Sequence, residues 1–505
     1  MAIELKGITK TFGSVVANNK IDLCVKQGEI LALLGENGSG KTTLMNMLSG
    51  IYYPDSGSIY VKGKEVKITS PEDANRLGIG MIHQHFKLVE VLSATDNIIL
   101  GSKKEGKWLS KKRYEEIKEI SEKFSLAIEP KKMVYNMSVG EKQTVEIVKV
   151  LYRNADILIL DEPTAVLTPQ EITKLFAILK KMRAQGCAVI IITHKLNEVL
   201  ELSDRVTILR KGESVATVNT AETNAHELTE LMVGRPVELS IQREESKGNE
   251  NLLEIHHLTV ENEEGLEALK DVSFELNQGE ILGVAGVAGS GQKELCEAMA
   301  GLLSVKKGAI LYHNENIVGK SPRDIIKMGI SMSFIPEDRL GMGLAASMGM
   351  VENMMLKNYA GTSRGPFVNK KEAKKLAKRL VQELQIVTPD VETPVRRLSG
   401  GNVQKVLLGR EIESNPNVLI TAYAVRGLDI NSSYVIYDAL NQQKKKGVGI
   451  LFIGEDLDVM LELCDRIMVL CHGKVTGIVK ADQTTKEQLG LLMTDAMEKE
   501  EGQHE

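Results

Sequence analysis

A chain of 505 residues exceeds what one hydrophobic core supports, so at least two domains are expected. Hydrophobic residues at 43% and charged residues at 26% indicate a globular protein, while a net charge of −5 with only 4% aromatics argues against a dedicated nucleic-acid binder. The five cysteines (Cys24, Cys187, Cys296, Cys464, Cys471) form neither a CxxC pair nor zinc spacing, and read as scattered, reduced thiols.

Residues 1–6 lack a cationic start followed by an apolar run, so no secretory leader is expected. Residues 30–34 are continuously apolar, as a buried parallel strand should be. Directly after them, Gly35-Glu36-Asn37-Gly38-Ser39-Gly40-Lys41-Thr42 satisfies G-x-x-x-x-G-K-[ST] and runs through Thr43 into a helix-like segment ending at Leu48. Such glycines let backbone N–H groups wrap a β-phosphate, and the helix N-terminus adds positive potential. Lys41 would reach the β- and γ-phosphate oxygens, and the Thr42 hydroxyl would ligate Mg²⁺.

From about residue 97 to 151 such apolar strands are missing and helical patterns dominate, which predicts a helical subdomain inserted into an α/β core. Residues 157–160 form another buried-strand run, ending in Asp161 and Glu162. Asp161 would hold Mg²⁺ through its water shell, and Glu162 would polarise the attacking water as general base. A third run, 189–192, leads into Thr193 and His194; strand-length, it is far too short to span a membrane. Residues 238–251 are polar and charged and read as a solvated linker between a first domain, 1–237, and a second, 252–494; residues 495–505 form an acidic tail.

The second domain repeats the first. Gly28-Glu-Ile-Leu-Ala-Leu-Leu-Gly35 returns as Gly279-Glu-Ile-Leu-Gly-Val-Ala-Gly286, an offset of 251, and Asp204-Arg205 returns as Asp465-Arg466, an offset of 261. The difference predicts a ten-residue step in the second copy, placed in surface loops or helices.

Ser138-Val-Gly-Glu141 and Leu398-Ser-Gly-Gly-Asn402, together with the P-loop and the acidic pair, resemble the ordered motif set of ABC ATPases over nearly the whole chain. The resemblance implies tandem P-loop NTPase domains, each a mainly parallel sheet core with an antiparallel β portion and an inserted helical subdomain, binding ATP and Mg²⁺. It further implies that Phe12 stacks on adenine and that Gln84 approaches Mg²⁺ and the attacking water and senses a membrane partner. His194 would contact the γ-phosphate, and Ser399, Gly400 and Gly401 would cap that phosphate when the two halves close on each other as a pseudo-dimer. His83 and His85, which flank Gln84, match no catalytic role.

The second copy departs from the pattern at the catalytic positions. Gln292 and Lys293 stand for Lys41 and Thr42, Ala422 and Tyr423 for Asp161 and Glu162, Glu337 for Gln84, and Glu455 for His194. Alanine holds no metal and a neutral tyrosine is no base. The second copy nevertheless keeps Ser399-Gly400-Gly401 and Arg426-Gly-Leu-Asp429, whereas the first has Val139 in its signature and Thr168 in place of the aspartate. The losses are complementary: the first P-loop with the second signature makes one complete set. A fused, asymmetric pair of this kind resembles the ATPase subunit of sugar-type importers, and His83-Gln-His-Phe86, Glu162-Pro-Thr-Ala-Val-Leu-Thr168 and Ser138-Val-Gly-Glu141 resemble those for nucleosides more closely than those for ribose or galactose. The resemblance implies two membrane permease subunits and an extracytoplasmic solute-binding protein as partners, and a place on the cytoplasmic side of the membrane. A twin-cassette ATPase acting on ribosomes is disfavoured by the short linker and degraded second site, and a DNA-repair ATPase by the lack of zinc-type cysteines.

Overall fold

The computed structural model describes residues 1–13, 15–83, 86–100, 111–124, 126–165, 167–234, 241, 243, 250–262, 264–327, 332–336, 339–356, 363–364, 367–426 and 428–494. The chain separates into two units, Met1–Glu238 and Leu239–Glu505.

In the first unit the order is β1 (Ile3–Phe12), β2 (Val15–Val25), β3 (Ile30–Leu34), α1 (Lys41–Leu48), β4 (Ser56–Val61), β5 (Lys64–Val66), α2 (Pro71–Arg76) and β6 (Ile79–Ile82). Among the described residues, the α-helices α3 (Ala94–Ile99), α4 (Lys111–Phe124) and α5 (Val139–Tyr152) follow. The unit ends with β7 (Ile157–Asp161), α6 (Pro169–Ala184), β8 (Ala188–Ile192), α7 (Leu196–Leu202), β9 (Arg205–Arg210), β10 (Glu213–Asn219) and α8 (Ala225–Val233). A four-stranded antiparallel sheet has the order β2-β1-β4-β5, and a six-stranded sheet the order β10-β9-β3-β8-β7-β6.

The six-stranded sheet is parallel except at its β9–β10 edge. Strands β3, β7 and β8 are buried at every residue, the outcome their unbroken apolar runs demand, because elements cover both faces of a parallel sheet. Edge strand β10 instead alternates exposed and half-buried residues. Because β3, β8 and β7 are neighbours in one parallel sheet, their C-terminal ends lie in a row: Ile192 pairs with both Leu33 and Asp161. The P-loop, the acidic pair and His194 all follow those ends, where ligands of open α/β sheets bind. The helix-rich stretch expected from the sequence is α3 to α5.

The second unit repeats this topology, with its six-stranded sheet built from 474–480, 466–471, 281–285, 449–453, 418–422 and 332–335 in that order. Even its anchoring ion pairs recur: Arg205 Nε donates to Glu29 at 2.5 Å, and Arg466 Nε to Glu280 at 2.5 Å. Two aspartates, Asp204 and Asp465, each accept the amide N–H that opens the P-loop strand, Ile30 and Ile281, at 2.8 Å.

Two expectations need correction. The ten extra residues of the second copy are spread over several connections rather than gathered in one. The offset is 251 at strand 30/281, 253 at strand 79/332, 256 at helix 94/350, 260 at helix 111/371 and 261 at helix 139/400. A π-turn, Arg339–Gly343, and a hairpin of Ser363–Arg364 with Phe367–Val368 fall in two of these connections. Nor is the linker wholly solvated: Ile241 packs on the second unit's core, Arg243 donates to the Cys464 carbonyl at 3.0 Å, and the first strand of that unit already begins at Asn251. Among the described residues no helix is long and apolar enough to cross a membrane.

Candidate nucleotide site

The phosphate loop joins β3 to α1 through left-handed glycines, Gly38 at φ 80° and Gly40 at φ 96°. A Cβ on Gly40 would come within 2.4 Å of the Ala17 carbonyl oxygen, so position and conformation both demand glycine. Lys41, at the start of α1, is 6% exposed, and its ammonium donates to the carbonyls of Gly35 at 2.6 Å and Glu36 at 2.9 Å. Burial holds its pKa below the ordinary lysine value, and the carboxylates of Glu162, Asp161 and Glu36 partly offset that.

The two adjacent acids at the end of β7 are driven in opposite directions. Burial first, then the charge of Glu162, push Asp161 up to about 6, against Lys41 and a hydrogen bond from the Thr42 hydroxyl. Glu162 sits in a left-handed turn at φ 46°, with its amide donating to the Ile192 carbonyl at 2.9 Å. That turn aims its carboxylate at His194 Nδ1, 3.0 Å away. The His194 contact holds the Glu162 pKa below the usual carboxylate range, against its burial. Behind His194 stands a carboxylate that sequence reading missed. Buried Glu198 accepts from Thr164 at 2.6 Å and Thr193 at 3.3 Å, and pairs with Lys195 at 3.2 Å, bracing the loop that carries the histidine.

Phe12 is 44% exposed at the end of β1 and so is not a core residue. Its ring meets Tyr52 edge-on at 5.2 Å, and Lys10 lies over both Phe12, at 5.6 Å, and Tyr53, at 5.0 Å. Asp55 fixes Lys10 at 2.7 Å and is held near pKa 2 by hydrogen bonds from Lys10 and Thr11. Sequence reading found Phe12 but not these neighbours; the antiparallel β1–β4 register, which pairs Thr9 with Ser56, brings them together. Gln84 and His85 lie outside the described residues, as does Glu337. His83 is half-buried, and burial lowers its pKa.

In the second unit the scaffold persists without the chemistry. Gln292 donates to the Val287 carbonyl at 3.2 Å, copying the bond from Lys41 to Glu36. Lys293 lies 3.9 Å from Glu297. Tyr423 keeps the left-handed turn, φ 54°, and donates its amide to the Ile453 carbonyl at 3.0 Å. In place of the Glu162–His194 pair, Glu455 pairs with Arg426 at 3.2 Å, and Arg426 lies over the Tyr423 ring at 5.7 Å. By strand register, Asn262, Leu303 and Ser304 replace Phe12, Tyr52 and Tyr53.

The signature turns differ as well. Ser138 caps α5 in a capping box, its hydroxyl accepting from the Glu141 amide at 3.2 Å while Glu141 accepts from the Ser138 amide at 2.7 Å. Glu141 thus places a carboxylate at the positive end of its own helix, paired with Lys132 at 2.7 Å. Ser399 precedes the helix Gly400–Glu413, whose first turn has no acidic residue; its hydroxyl accepts from Asn402 at 2.8 Å and keeps a hydrogen to donate.

A protein-family model described as "ABC transporter" matches residues 18–165 and 269–421, once in each unit. The chain is 43% identical to the nucleoside import ATP-binding protein NupA of Lactococcus lactis subsp. cremoris, covering 97% of both proteins. It is also 43% identical to the guanosine import ATP-binding protein NupO of Bacillus subtilis, over 99% of this chain and 98% of that one. With the ribose import ATP-binding protein RbsA of Caldanaerobacter subterraneus the identity is 36%, over 97% and 98%. Two family matches, one per unit, and relatives aligned along almost its full length place this chain in the ABC transporter family.

Proposed function

We propose that this chain is the ATP-hydrolysing subunit of an importer, coupling MgATP binding and hydrolysis to uptake of a small solute of the nucleoside class. The observation that carries the reading is the pairing of Glu162 with His194 at 3.0 Å, beside Lys41, Thr42 and Asp161, in one unit only. Higher identity to nucleoside and guanosine importers, 43%, than to a ribose importer, 36%, supports the solute class.

In this reading Gly35 through Thr43 hold the triphosphate, Lys41 its β- and γ-oxygens, and Phe12 the adenine. Thr42 and Asp161 supply hard oxygen donors of the kind Mg²⁺ takes when phosphates and water complete its shell, and Gln84 joins them. Bound Mg²⁺ would neutralise charge on the phosphates. Glu162 accepts the proton of the attacking water, and His194 orients Glu162 and faces the γ-phosphate. Ser399, Gly400 and Gly401 are the further ATP-contacting residues of this reading. Two permease subunits in the membrane and an extracytoplasmic solute-binding protein are the partners, with this chain on the cytoplasmic face.

The test is reconstitution with the permeases and binding protein in vesicles. Guanosine uptake should depend on ATP and exceed ribose uptake, and vanadate should trap roughly one ADP per chain. Two trapped ADP would defeat the asymmetry, and uptake of ribose but not guanosine would defeat the solute class.

A further inference from the structure

The second unit's signature turn is gripped by an arginine with no counterpart in the first. Arg339 opens the π-turn Arg339–Gly343, and the Leu344 amide donates back to its carbonyl at 2.8 Å. Single π-turns occur frequently at functional sites. The Arg339 guanidinium donates through Nη1 to the Gly400 carbonyl at 3.4 Å and through Nη2 to the Arg426 carbonyl. A Cβ on Gly400 would meet Nη1 at 3.2 Å, and one on Gly401 would lie 3.3 Å from Ser432 Oγ, so a side chain approaches each glycine, although Gly400 itself is exposed.

The same loop grips what lies around the turn. Gly343 seats against Leu407 of the signature helix, and the carbonyls of Met348 and Ala346 accept the amides of Val395 and Arg396, just before Ser399. At the other end, Arg426 pairs with Glu455 and covers Tyr423, the residues standing where His194 and Glu162 stand in the first unit. One line of contacts within a single unit therefore joins the pocket that lost its chemistry to the signature turn that kept its sequence. In the first unit the matching positions are Phe86 and Ala165, and Glu141 caps the helix instead. The two arginines accompany the intact Ser-Gly-Gly turn and Asp429; the unit that lost these has neither.

We propose that Arg339 is a positioning residue for ATP hydrolysis: it fixes the Ser399-Gly400-Gly401 turn and, through Arg426, ties that turn to the state of the second unit's own nucleotide pocket. The proposal rests on the reading that Ser399, Gly400 and Gly401 contact ATP. A planar guanidinium can hold two carbonyls at set angles, which a lysine ammonium cannot reproduce. Misplacing a reacting or stabilising group by about 1 Å can cost on the order of 100-fold in rate.

The experiment uses the full chain assembled with its permeases. Arg339→Ala should lower kcat at least about tenfold while leaving the KM for ATP and the unfolding midpoint unchanged, and Arg339→Lys should recover only part of the loss. Arg426→Ala, which keeps the carbonyl that Arg339 holds, should lower kcat less, and the double variant should be no slower than Arg339→Ala alone. Fully additive losses would overturn the link to the second pocket. A raised KM at unchanged kcat, or a loss of kcat that tracks a lowered unfolding midpoint, would overturn the positioning role. Ser399→Arg separates the premise from the proposal. If it leaves hydrolysis near normal, the assignment of Ser399 falls; if it abolishes hydrolysis while Arg339→Ala does not slow it, only the role of Arg339 falls.

Discussion

Replacing Asp161 with asparagine should stabilise the first unit while removing its chemistry. Asp161 is 8% exposed, and burial together with the Glu162 charge lifts its carboxyl from 3.8 to about 6. With the folded pKa raised, the folded protein keeps a proton that the unfolded chain has released between about pH 4 and pH 6. Stability is therefore greatest below that window and falls as pH rises through it, with the deficit complete above about pH 6. At 1.36 kcal/mol per unit, a lift of roughly two units costs about 3 kcal/mol near neutral pH. Asparagine carries no charge and escapes this cost, although its buried N–H groups need partners, which takes back about 1 kcal/mol. A net gain of about 2 kcal/mol remains. Urea unfolding without nucleotide or Mg²⁺, followed by amide hydrogen exchange in the buried strands β7 and β8, reports on the first unit. The variant should exceed the parent at about pH 7.5 and match it at about pH 4.5. A variant less stable than the parent at neutral pH, or a gain that persists in acid, would refute the reasoning.

Glu162→Gln keeps the shape and the contact with His194 but removes the base, so ATP turnover should fall by roughly 10²–10⁴ with ATP binding retained. Near-parental turnover would strip Glu162 of that role; Tyr423→Phe serves as the silent counterpart. Tyr52→Ala removes the edge contact on Phe12, worth about 0.5–1.5 kcal/mol, and should raise the KM for ATP severalfold at constant kcat, while Tyr52→Phe changes nothing. Steady-state kinetics decide it, and an unmoved KM in Tyr52→Ala would show that Phe12 needs no buttress.

What the sequence disclosed were features whose parts adjoin along the chain. The P-loop, the acidic pair and His194 each follow an apolar run, and an unbroken apolar run of four or five residues has few homes other than the middle of a parallel sheet. Parallel pairing of β3, β8 and β7 then brings the three together without further information. The aromatic neighbours of Phe12 were illegible because Tyr52 lies 40 positions further along the chain, and only the β1–β4 register closes that gap. Arg339 was illegible for a related reason: its turn lies in a connection lengthened in one copy alone, and no local pattern marks a π-turn. The opposite drift of the Asp161 and Glu162 carboxyls depends on burial and on one histidine, and neighbouring letters cannot show either.

The left-handed turn after the acidic strand occurs at Glu162 and again at Tyr423, with the same amide bond to the neighbouring strand in each. For a side chain other than glycine this conformation costs about 1–3 kcal/mol. In the first unit it aims a carboxylate at His194, whereas in the second it aims a phenol beside Arg426. Backbone geometry has therefore outlasted the reaction it suits. Evolution seen through this pair is reversible in an unusual sense: Gln292, Ala422 and Tyr423 occupy positions whose main chain keeps the form found at Lys41, Asp161 and Glu162. At those three positions regaining the chemistry would need new side chains on a backbone already in place.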